Sequence, residues 1–277
     1  TGGTGGAEPC GGACADPTPL CDENTNTCVA CLGAGDCTNA SFPVCHEGAC
    51  VACTPAEDAL CTGQTPYCDP GTWSCAPCSY HEHCPESACN RFTGACLNAT
   101  PQTVGPAPAD YQTIAAAFAS VPAGAEAVFR VSPNTGNTTY QESLQLVGKT
   151  VALLGEGDNP TVQGSALPSI TVANGSTLLL ANLDLRLNGS AVALQTAGLV
   201  ALDAVEIAQN AGGGVLASST AELLIRSSIV AANGTTTTAI SLGQGQLELL
   251  YSAVGSVIGS SAAISCDAGA ALTVRNS

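Results

Sequence analysis

The sequence predicts an all-β protein in which a small disulfide-rich repeat region precedes a parallel β-helix. Three observations predict this fold class. Sixteen of the 17 cysteines lie between Cys10 and Cys96, one amphipathic segment follows them, and the rest of the chain repeats short apolar runs at intervals of 22 to 25 residues. Repeats this short cannot bury enough apolar surface to fold unaided, so the first region needs covalent cross-links.

The cysteines form four consecutive sets of four, and only two residues separate each set from the next. An even number of cysteines at recurring spacings is typical of a disulfide framework made in an oxidising compartment. We therefore predict that all sixteen form disulfides in a secreted or outer cell-surface protein. The sets are Cys10, Cys14, Cys21 and Cys28; Cys31, Cys37, Cys45 and Cys50; Cys53, Cys61, Cys68 and Cys75; and Cys78, Cys84, Cys89 and Cys96.

Repeated Cys-x-x-Cys pairs also occur in zinc ribbons and iron-sulfur proteins. Here each pair straddles a boundary between two sets, and the other cysteines stand at spacings that a four-ligand site would not use. A c-type haem needs His after the second cysteine, but Leu32, Thr54 and Ser79 occupy those places. We predict no metal and no other cofactor. Of the three pairings open to each set, we favour first with third and second with fourth, because the third and fourth cysteines bracket a hairpin-like turn.

Composition divides the chain into a Gly/Thr-rich tether at 1–9, four disulfide-rich repeats at 10–97, a Pro-rich linker at 98–108 and the β-helix at 109–277. The tether is either the flexible segment that follows an export signal or a lipidated cysteine, or a plain disordered end. Eleven acids face one base before the linker, and eleven face five after it. This acidity excludes nucleic acid as a partner. No apolar run is long enough for a transmembrane segment.

One helix is predicted from Asp110 to Val121. Asp110 is the expected cap, the apolar residues recur at three- and four-residue steps, and Pro122 ends the segment. The residues that follow alternate aliphatic and small polar side chains, broken by Asn-Gly, Gly-Gly and Gly-Ser, which is typical of strands and turns.

The internal repeat after residue 165 predicts stacked coils rather than a β-sandwich, the alternative that would need hairpins. Apolar segments begin at Ser169, Ala191, Gly214, Ala239 and Ala262. A second apolar run follows in each unit, and we expect a column of small polar residues at the corner after it. These corner residues are Asn182, Asp203, Ser227, Ser252 and Asn276.

The start of this region resembles the pectin-lyase-like right-handed parallel β-helix superfamily, especially its pectin methylesterase branch. The resemblance lies in Tyr111-Gln-Thr-Ile-Ala-Ala-Ala-Phe, Val128-Phe-Arg-Val, Tyr140-Gln-Glu-Ser-Leu and Lys149-Thr-Val-Ala-Leu-Leu-Gly. It implies a right-handed coil whose N-terminal capping α-helix covers the open end. By cysteine spacing alone, the first region is similar to Cys-rich repeats of myxobacterial surface proteins and, more distantly, to the N-terminal module of Dickkopf proteins.

The catalytic motifs of that superfamily are missing, so we predict no catalytic residues. Asp184 and Asp203 are the candidates for an acid/base pair, with corner or outward positions as the favoured interpretation. The other downstream aspartates are Asp110, Asp158 and Asp267. We expect Arg186, Arg226 and Arg275 to be solvated on outer faces, with glycan binding as the alternative. We expect the three histidines, His46, His81 and His83, to be exposed loop residues.

Cys266 is left over, and the strand pattern predicts a buried free thiol, with a link to another chain as the alternative. Glycosylation-type triplets begin at Asn39, Asn98, Asn137, Asn174, Asn188 and Asn233. For the Asn-Gly members, Asn174, Asn188 and Asn233, turn formation is the favoured interpretation.

These patterns favour a non-enzymatic structural or adhesive protein whose partner is a polysaccharide, another cell or a further copy of itself. A polysaccharide-active enzyme with unrecognised catalytic residues is the alternative, and receptor binding by the Cys-rich half alone is a third hypothesis. Because the last repeat stops in mid-coil, we also expect either more coils or a partner chain at that edge.

Overall fold

The computed structural model describes residues 10, 14–134, 139–164, 167–186, 189, 191–218, 220–231, 233, 238–255 and 262–277. The chain forms two compact units. Unit 1 comprises Thr1–Pro85 and Cys89–Cys96, and unit 2 comprises Glu86–Ala88 and Leu97–Ser277.

Unit 1 is a series of small antiparallel hairpins, one in each cysteine set, as the turn pattern predicts. Short 3-10 helices at Ala34–Asp36, Asp58–Leu60 and His81–His83 precede the second cysteine of sets two, three and four. The hairpins are β1 (Leu20–Asp22) with β2 (Thr27–Val29), β3 (Val44–His46) with β4 (Ala49–Val51), β5 (Tyr67–Asp69) with β6 (Ser74–Ala76), and β7 (Cys89–Asn90) with β8 (Ala95–Cys96).

Eight disulfides hold unit 1, and every set pairs its first cysteine with its third and its second with its fourth. This is the pairing that the hairpin argument favours. Each bond closes a loop of 11 to 15 residues, for which chain entropy gives a stabilisation of about 3 kcal/mol. The bonds are Cys10–Cys21, Cys14–Cys28, Cys31–Cys45, Cys37–Cys50, Cys53–Cys68, Cys61–Cys75, Cys78–Cys89 and Cys84–Cys96.

Three hairpin turns each contain one left-handed residue whose carbonyl accepts a hydrogen bond from the chain near the start of its set. Gly48, Trp73 and Gly94 have φ values of 82°, 50° and 74°. The carbonyl of Gly48 accepts from Ala30 N at 2.7 Å, that of Trp73 from Ala52 N at 3.2 Å, and that of Gly94 from Cys78 N at 2.8 Å. Ala30 and Ala52 lie in the two-residue segments that join cysteine sets, so these two bonds attach the end of one set to the turn of the next. Cys78 and Gly94 belong to the same set, and their bond holds the hairpin turn to the start of that set.

Unit 2 is a parallel β-helix of about six coils, which confirms the predicted all-β stack with one α-helix. Its elements are β9 (Gln102–Val104), α1 (Ile114–Ser120), β10 (Glu126–Val131), β11 (Thr139–Gln141), β12 (Leu144–Leu146), β13 (Thr150–Gly155), β14 (Thr161–Gln163), β15 (Ile170–Val172), β16 (Thr177–Ala181), β17 (Asp184–Arg186), β18 (Leu194–Thr196), β19 (Leu199–Asp203), β20 (Glu206–Ala208), β21 (Val215–Ala217), β22 (Glu222–Arg226), β23 (Ile229–Ala231), β24 (Ile240–Leu242), β25 (Gln246–Leu250), β26 (Ala253–Val254), β27 (Ile264–Cys266) and β28 (Ala271–Arg275).

Three parallel sheets form the walls, and every third strand returns to the same sheet. Sheet 1 contains β9, β10, β13, β16, β19, β22, β25 and β28; sheet 2 contains β11, β14, β17, β20, β23 and β26; sheet 3 contains β12, β15, β18, β21, β24 and β27. A coil is one strand from each sheet, from coil 1 (β10, β11, β12) to coil 6 (β25, β26, β27). Strand β9 extends sheet 1 from within the range predicted as a linker.

The pairing register corrects two details of the predicted repeat. Ile170 pairs with Leu194, so the segment predicted to start at Ala191 is displaced by two residues, and Ile240 pairs with Ile264, which displaces the segment at Ala262 by one. Corner loops of different length absorb these shifts. The left-handed corner column after sheet 1 is Asn182, Ala204, Ser227, Tyr251 and Asn276, so the predicted members Asp203 and Ser252 are each displaced by one position.

Inward-facing aliphatic side chains fill the space between the sheets. Leu178, Leu180, Val200, Leu202 and Leu223 are completely buried in one continuous core. Each such residue contributes about 1.5–3 kcal/mol relative to its exposed state. Because alternate residues of a strand face opposite sides, the same register that stacks the coils also aligns these side chains.

Polar side chains stack at two corners of the coil. Asn210 Nδ2 donates to Asn233 Oδ1 at 2.7 Å, and both side chains are fully buried. At the corner after sheet 1, Val205 N donates to Ser228 Oγ at 3.1 Å and Ser228 N to Ser252 Oγ at 3.3 Å. These ladders satisfy backbone groups that the turns leave without strand partners, which makes buried polar residues tolerable.

The α-helix begins later than predicted. Its cap is Thr113, whose Oγ1 accepts from Ala116 N at 3.1 Å. Asp110, the predicted cap, instead accepts from Thr103 N at 2.7 Å and from Thr103 Oγ1 at 2.9 Å. These two bonds, the backbone one foremost, hold the pKa of Asp110 below its ordinary value. Asp110 therefore ties the segment before the helix to β9.

Side chains of the β-helix hold both ends of α1. Glu142 accepts from Ile114 N at 3.2 Å and from Ala115 N at 2.6 Å, and Lys149 Nζ donates to the carbonyls of Phe118 at 2.9 Å and Val121 at 2.6 Å. A carboxylate at the N-terminus and an ammonium at the C-terminus both complement the helix dipole. Burial nevertheless raises the pKa of Glu142.

We predict that Gly94→Ala lowers the free energy of unfolding of unit 1 by about 1–3 kcal/mol. The new Cβ would lie 2.6 Å from Pro77 Cβ in a left-handed conformation, whereas Gly63, also left-handed at φ 67°, has open space around it. Gly63→Ala is the matched control, which should lose only the backbone term. Hydrogen exchange of the full chain measures both, and equal losses in the two variants would contradict the steric argument.

The buried position of Glu142 predicts a pH-dependent contribution to stability. Because its folded pKa lies above the unfolded value, its contribution is present at low pH and is lost as the pH rises through the folded pKa. Relative to Glu142→Gln, which cannot ionise, wild type should lose stability as the pH rises above the ordinary glutamate pKa of about 4.3. Urea unfolding at a series of pH values measures the difference in the free energy of unfolding. Wild type gaining stability relative to Glu142→Gln as the pH rises would show that the amide contacts outweigh burial.

Candidate functional site

The structure pairs charged residues of coils 3, 4 and 5 in two groups, one on sheet 2 and one on sheet 1. Asp184 and Arg186 lie on β17, and Glu206 lies on β20 directly beside Asp184. Arg186 Nη2 lies 3.2 Å from Asp184 Oδ2 and also contacts Glu206 Oε2. One guanidinium therefore bridges two carboxylates on neighbouring coils.

A second pair, Asp203 on β19 and Arg226 on β22, occupies opposed positions in sheet 1. Arg226 Nε donates to Asp203 Oδ1 at 3.1 Å, and Arg226 Nη2 donates to Asp203 Oδ2. The expectation of a solvated Arg226 is wrong, because this residue is only 4% exposed. A buried guanidinium requires a carboxylate partner, and the bidentate geometry supplies one. Arg186 is half-buried and paired, whereas Arg275 is exposed as expected.

Asp184 is the most perturbed carboxyl in this cluster. Burial raises its pKa, the nearby Glu206 raises it further, and Arg186 and a hydrogen bond with Asn159 act in the opposite direction. A raised pKa is one property of a general acid. Both aspartates of the predicted acid/base pair are nevertheless bound to arginines, and the geometry is that of ion pairs between coils. Asp110, Asp158 and Asp267 are exposed and belong to neither pair.

The outer surface of sheet 3 is different, because none of its strands contains a charged residue. Its outward column consists of Gln145, Thr171, Gln195, Leu216, Ser241 and Ser265. A groove of about 320 Å³ crosses coils 2, 3 and 4 on this surface. It is lined by Thr171, Val172, Ala173, Gln195, Thr196, Ala197, Leu216, Ala217 and Ser218. We call this surface the uncharged face.

Sequence reasoning missed the uncharged face although a signal for it was present. The middle residue of each sheet 3 strand is polar or apolar but never charged, in a chain of net charge -16. Recognising this column requires the correct register, and the displacement of the segment predicted at Ala191 moves Gln195 and Thr171 out of alignment.

The three histidines belong to unit 1 and are half-buried, which corrects the expectation of exposed loop residues. His46 packs on Trp73 with ring centroids 4.0 Å apart, and His83 stacks on Tyr67 at 3.5 Å. His81 Nδ1 accepts from Cys89 N at 3.2 Å. Adjacent repeats bring these rings together, so sequence position alone gives no sign of the contacts.

Three groups of cysteine sulfurs lie within 4.8 Å of one another, close enough to hold a metal ion. The groups are Cys10, Cys14 and Cys28; Cys31, Cys37 and Cys45; and Cys53, Cys61 and Cys68. Every one of these sulfurs is part of a disulfide in the structure. Since a metal binds the thiolate, these groups offer no ligands in the oxidised protein.

Cys266 is a free thiol, but the prediction that it is buried is wrong. Its column in sheet 3 contains Val172, Thr196, Ala217 and Leu242, all of which are buried between two neighbouring coils. Cys266 lies in coil 6 and has a described neighbour on one side only. Its exposure therefore follows from its position in the stack and not from a different orientation.

One of the Asn-Gly pairs, Asn174-Gly175, lies wholly within the described residues, and of the other two pairs only Asn233 and Gly189 are described. Asn174 is exposed in a turn with left-handed Gly175, as turn formation predicts. Asn233 is fully buried, and its Nδ2 donates to the Ile207 carbonyl at 2.7 Å, so it is unavailable for glycosylation in the folded protein. Asn39 and Asn98 are exposed, whereas Asn137 and Asn188 lie outside the described residues.

Residues 2–101 match a family model described as "Family of unknown function (DUF8331)". This match spans the cysteine sets and ends at the start of unit 2. No curated protein matches the chain. Among the described residues, no helix is long and apolar enough to cross a membrane.

We predict that Arg226→Met lowers the free energy of unfolding by about 2–4 kcal/mol, because it leaves the Asp203 carboxylate without its partner. Arg130→Met is the matched control. Arg130 pairs with Glu156 at 3.4 Å, but both side chains are more than one-third exposed, so its loss should cost less than about 1 kcal/mol. Urea unfolding measures both variants. Equal losses would contradict the assignment of a buried structural pair.

Proposed function

We propose that this chain is a non-enzymatic extracellular or cell-surface structural protein, and that its uncharged face binds a neutral polysaccharide. In this proposal unit 1 is a disulfide-stabilised stalk and unit 2 is a rigid β-helix of the pectin-lyase-like type. The observation that supports a structural and non-enzymatic role is the pairing of the charged side chains. Arg186 and Arg226 form ion pairs with Asp184, Glu206 and Asp203.

Eight disulfides support the extracellular assignment, because such bonds persist in oxidising compartments and are reduced in the cytosol. They also limit local unfolding of unit 1. In unit 2 each coil exchanges strand hydrogen bonds with the coil above and the coil below. Both features favour a protein that resists proteolysis and keeps its shape outside the cell.

The chemistry of the uncharged face supports a neutral glycan as the ligand. Gln195 and Thr171 present amide and hydroxyl groups that both donate and accept hydrogen bonds, as sugar hydroxyls do, and Leu216, which is 40% exposed, offers apolar contact. Neighbouring coils are about 4.8 Å apart. This spacing is close to the length that one sugar unit adds to an extended polysaccharide chain. An acidic glycan finds no cationic side chain among the groove residues and is repelled by the acidic protein.

Leu216→Asp should weaken binding of neutral oligosaccharides such as cello- and xylo-oligosaccharides at least tenfold, because it places a charge in the groove that stays unpaired. Ile229→Asp is the matched control, since Ile229 is similarly exposed, at 47%, on sheet 2. Calorimetric titration of the full chain measures the affinity, and circular dichroism checks that both variants fold.

Equal affinity in the two variants, or no binding by wild type, would reject the glycan role of this face. Dimers that dissociate in Leu216→Asp but persist in Ile229→Asp would assign the face to self-association instead. The enzymatic alternative is tested with polygalacturonate and neutral glycans by following chain cleavage and methanol release. Turnover that Asp203→Ala abolishes would overturn the structural proposal.

A further inference from the structure

Two imidazoles in the fourth cysteine set accept hydrogen bonds from backbone N–H groups. His83 Nδ1 accepts from Ser79 N at 3.3 Å, and His81 Nδ1 accepts from Cys89 N at 3.2 Å. Both histidines belong to the 3-10 helix His81–His83, which lies between Cys78 and Cys84. These two cysteines form disulfides with Cys89 and Cys96. The first bond closes the loop after Cys78, and the second attaches the helix to β7.

The second cysteine set builds the same loop with a carboxylate. Asp36 directly precedes Cys37 as His83 precedes Cys84, and Asp36 Oδ2 accepts from Leu32 N at 2.8 Å and from Gly33 N at 2.9 Å. Leu32 and Ser79 each follow the first cysteine of their set. The two sets therefore use different acceptors for one structural task. A carboxylate remains an acceptor at mildly acidic pH, whereas a protonated imidazole has no acceptor atom.

The rings around His83 connect it to the preceding repeat. Its imidazole stacks on Tyr67 of β5, with centroids 3.5 Å apart and planes 2° apart, and contacts Tyr80 edge-on at 5.2 Å. The other titratable residue of β5, Asp69, accepts from Gly71 N and Thr72 Oγ1. Glu82 lies between the two histidines on their own helix, Glu86 follows the helix, and Arg91 follows β7.

We propose that His81 and His83 form a pH-sensitive latch that fastens the fourth disulfide repeat at neutral pH and releases it on acidification. Both bonds require neutral imidazoles protonated on Nε2. The two bonds are therefore present while the imidazoles are neutral and are lost when acid protonates Nδ1.

Protonation leaves the stack on Tyr67 in place, because a cation over a phenol ring is attracted to it. The loss falls instead on the bonds from Ser79 N and Cys89 N, because a charged imidazole cannot accept them. The flanking disulfides remain closed, so the release is local: the loop around His81–His83 loosens while the connectivity of unit 1 is unchanged. An extracellular stalk built in this way changes stiffness at one repeat when its surroundings become acidic.

Hydrogen exchange of the full chain, followed by NMR at about pH 7.5 and about pH 5 and corrected for intrinsic rates, tests the proposal. Protection of the Ser79 and Cys89 amides should fall about tenfold at the lower pH, since one net hydrogen bond is lost at each. The Leu32 and Gly33 amides, held by Asp36, are the internal control and should keep their protection.

His83→Asp copies the acceptor of the second set into the fourth, and it should make protection of Ser79 independent of pH over this range while Cys89 still responds. His83→Asn, an uncharged acceptor, should behave in the same way and controls for the added charge. Unchanged protection of both amides in wild type would overturn the proposal, as would a pH response at Ser79 that survives in both variants.

Discussion

Parallel stacking in register is the constraint on which unit 2 depends. Each strand must offer its full row of backbone groups to the strand above and below, and because side chains alternate with a period of two, one register fixes both hydrogen bonds and core packing. Leu178 is thereby placed over Val151 and under Val200. Variation in loop length is acceptable only at corners, where left-handed residues and polar ladders restore the register before the next strand begins.

The two units compensate in different ways for the small size of their repeats. A single coil or a single cysteine set is too small to bury a core. Unit 2 overcomes this by stacking coils on one another, so that inward side chains share one continuous interior. Unit 1 uses two disulfides in each set, and contacts such as Gly48 O with Ala30 N attach the segment that joins two sets to the hairpin turn of the second. Buried cysteines such as Cys53 and Cys89 take the place of an aliphatic core there.

The distribution of charge supports the proposal of a structural role over a catalytic one. A catalytic carboxylate needs open space for a water molecule or a sugar ring. Asp203 is instead bound by both Nε and Nη2 of Arg226, and Asp184 shares Arg186 with Glu206. Arg186 joins coil 3 to coil 4 through Glu206, and Arg226 joins coil 5 to coil 4 through Asp203. The partner surface that we propose is the uncharged face, where Gln195 and Leu216 are exposed to solvent and Thr171 is half-buried.

The sequence by itself determined the parallel coil, the helix and the hairpins, and it favoured the observed cysteine pairing without excluding the other two, because these features depend on local periodicity and on the spacing of cysteines around tight turns. Only the tertiary structure decided the register at Leu194, the cap at Thr113, the burial of Arg226 and the exposure of Cys266. The register, the burial and the exposure depend on which residue lies on the neighbouring coil, and chain separations of 20 residues or more through loops of unequal length carry no local signal for that. The cap depends on the nearer Thr103, whose bonds to Asp110 hold that residue outside the helix. The uncharged face arises from residues of successive coils that stacking brings side by side, and the histidine ring contacts with Trp73 and Tyr67 arise between adjacent repeats of unit 1.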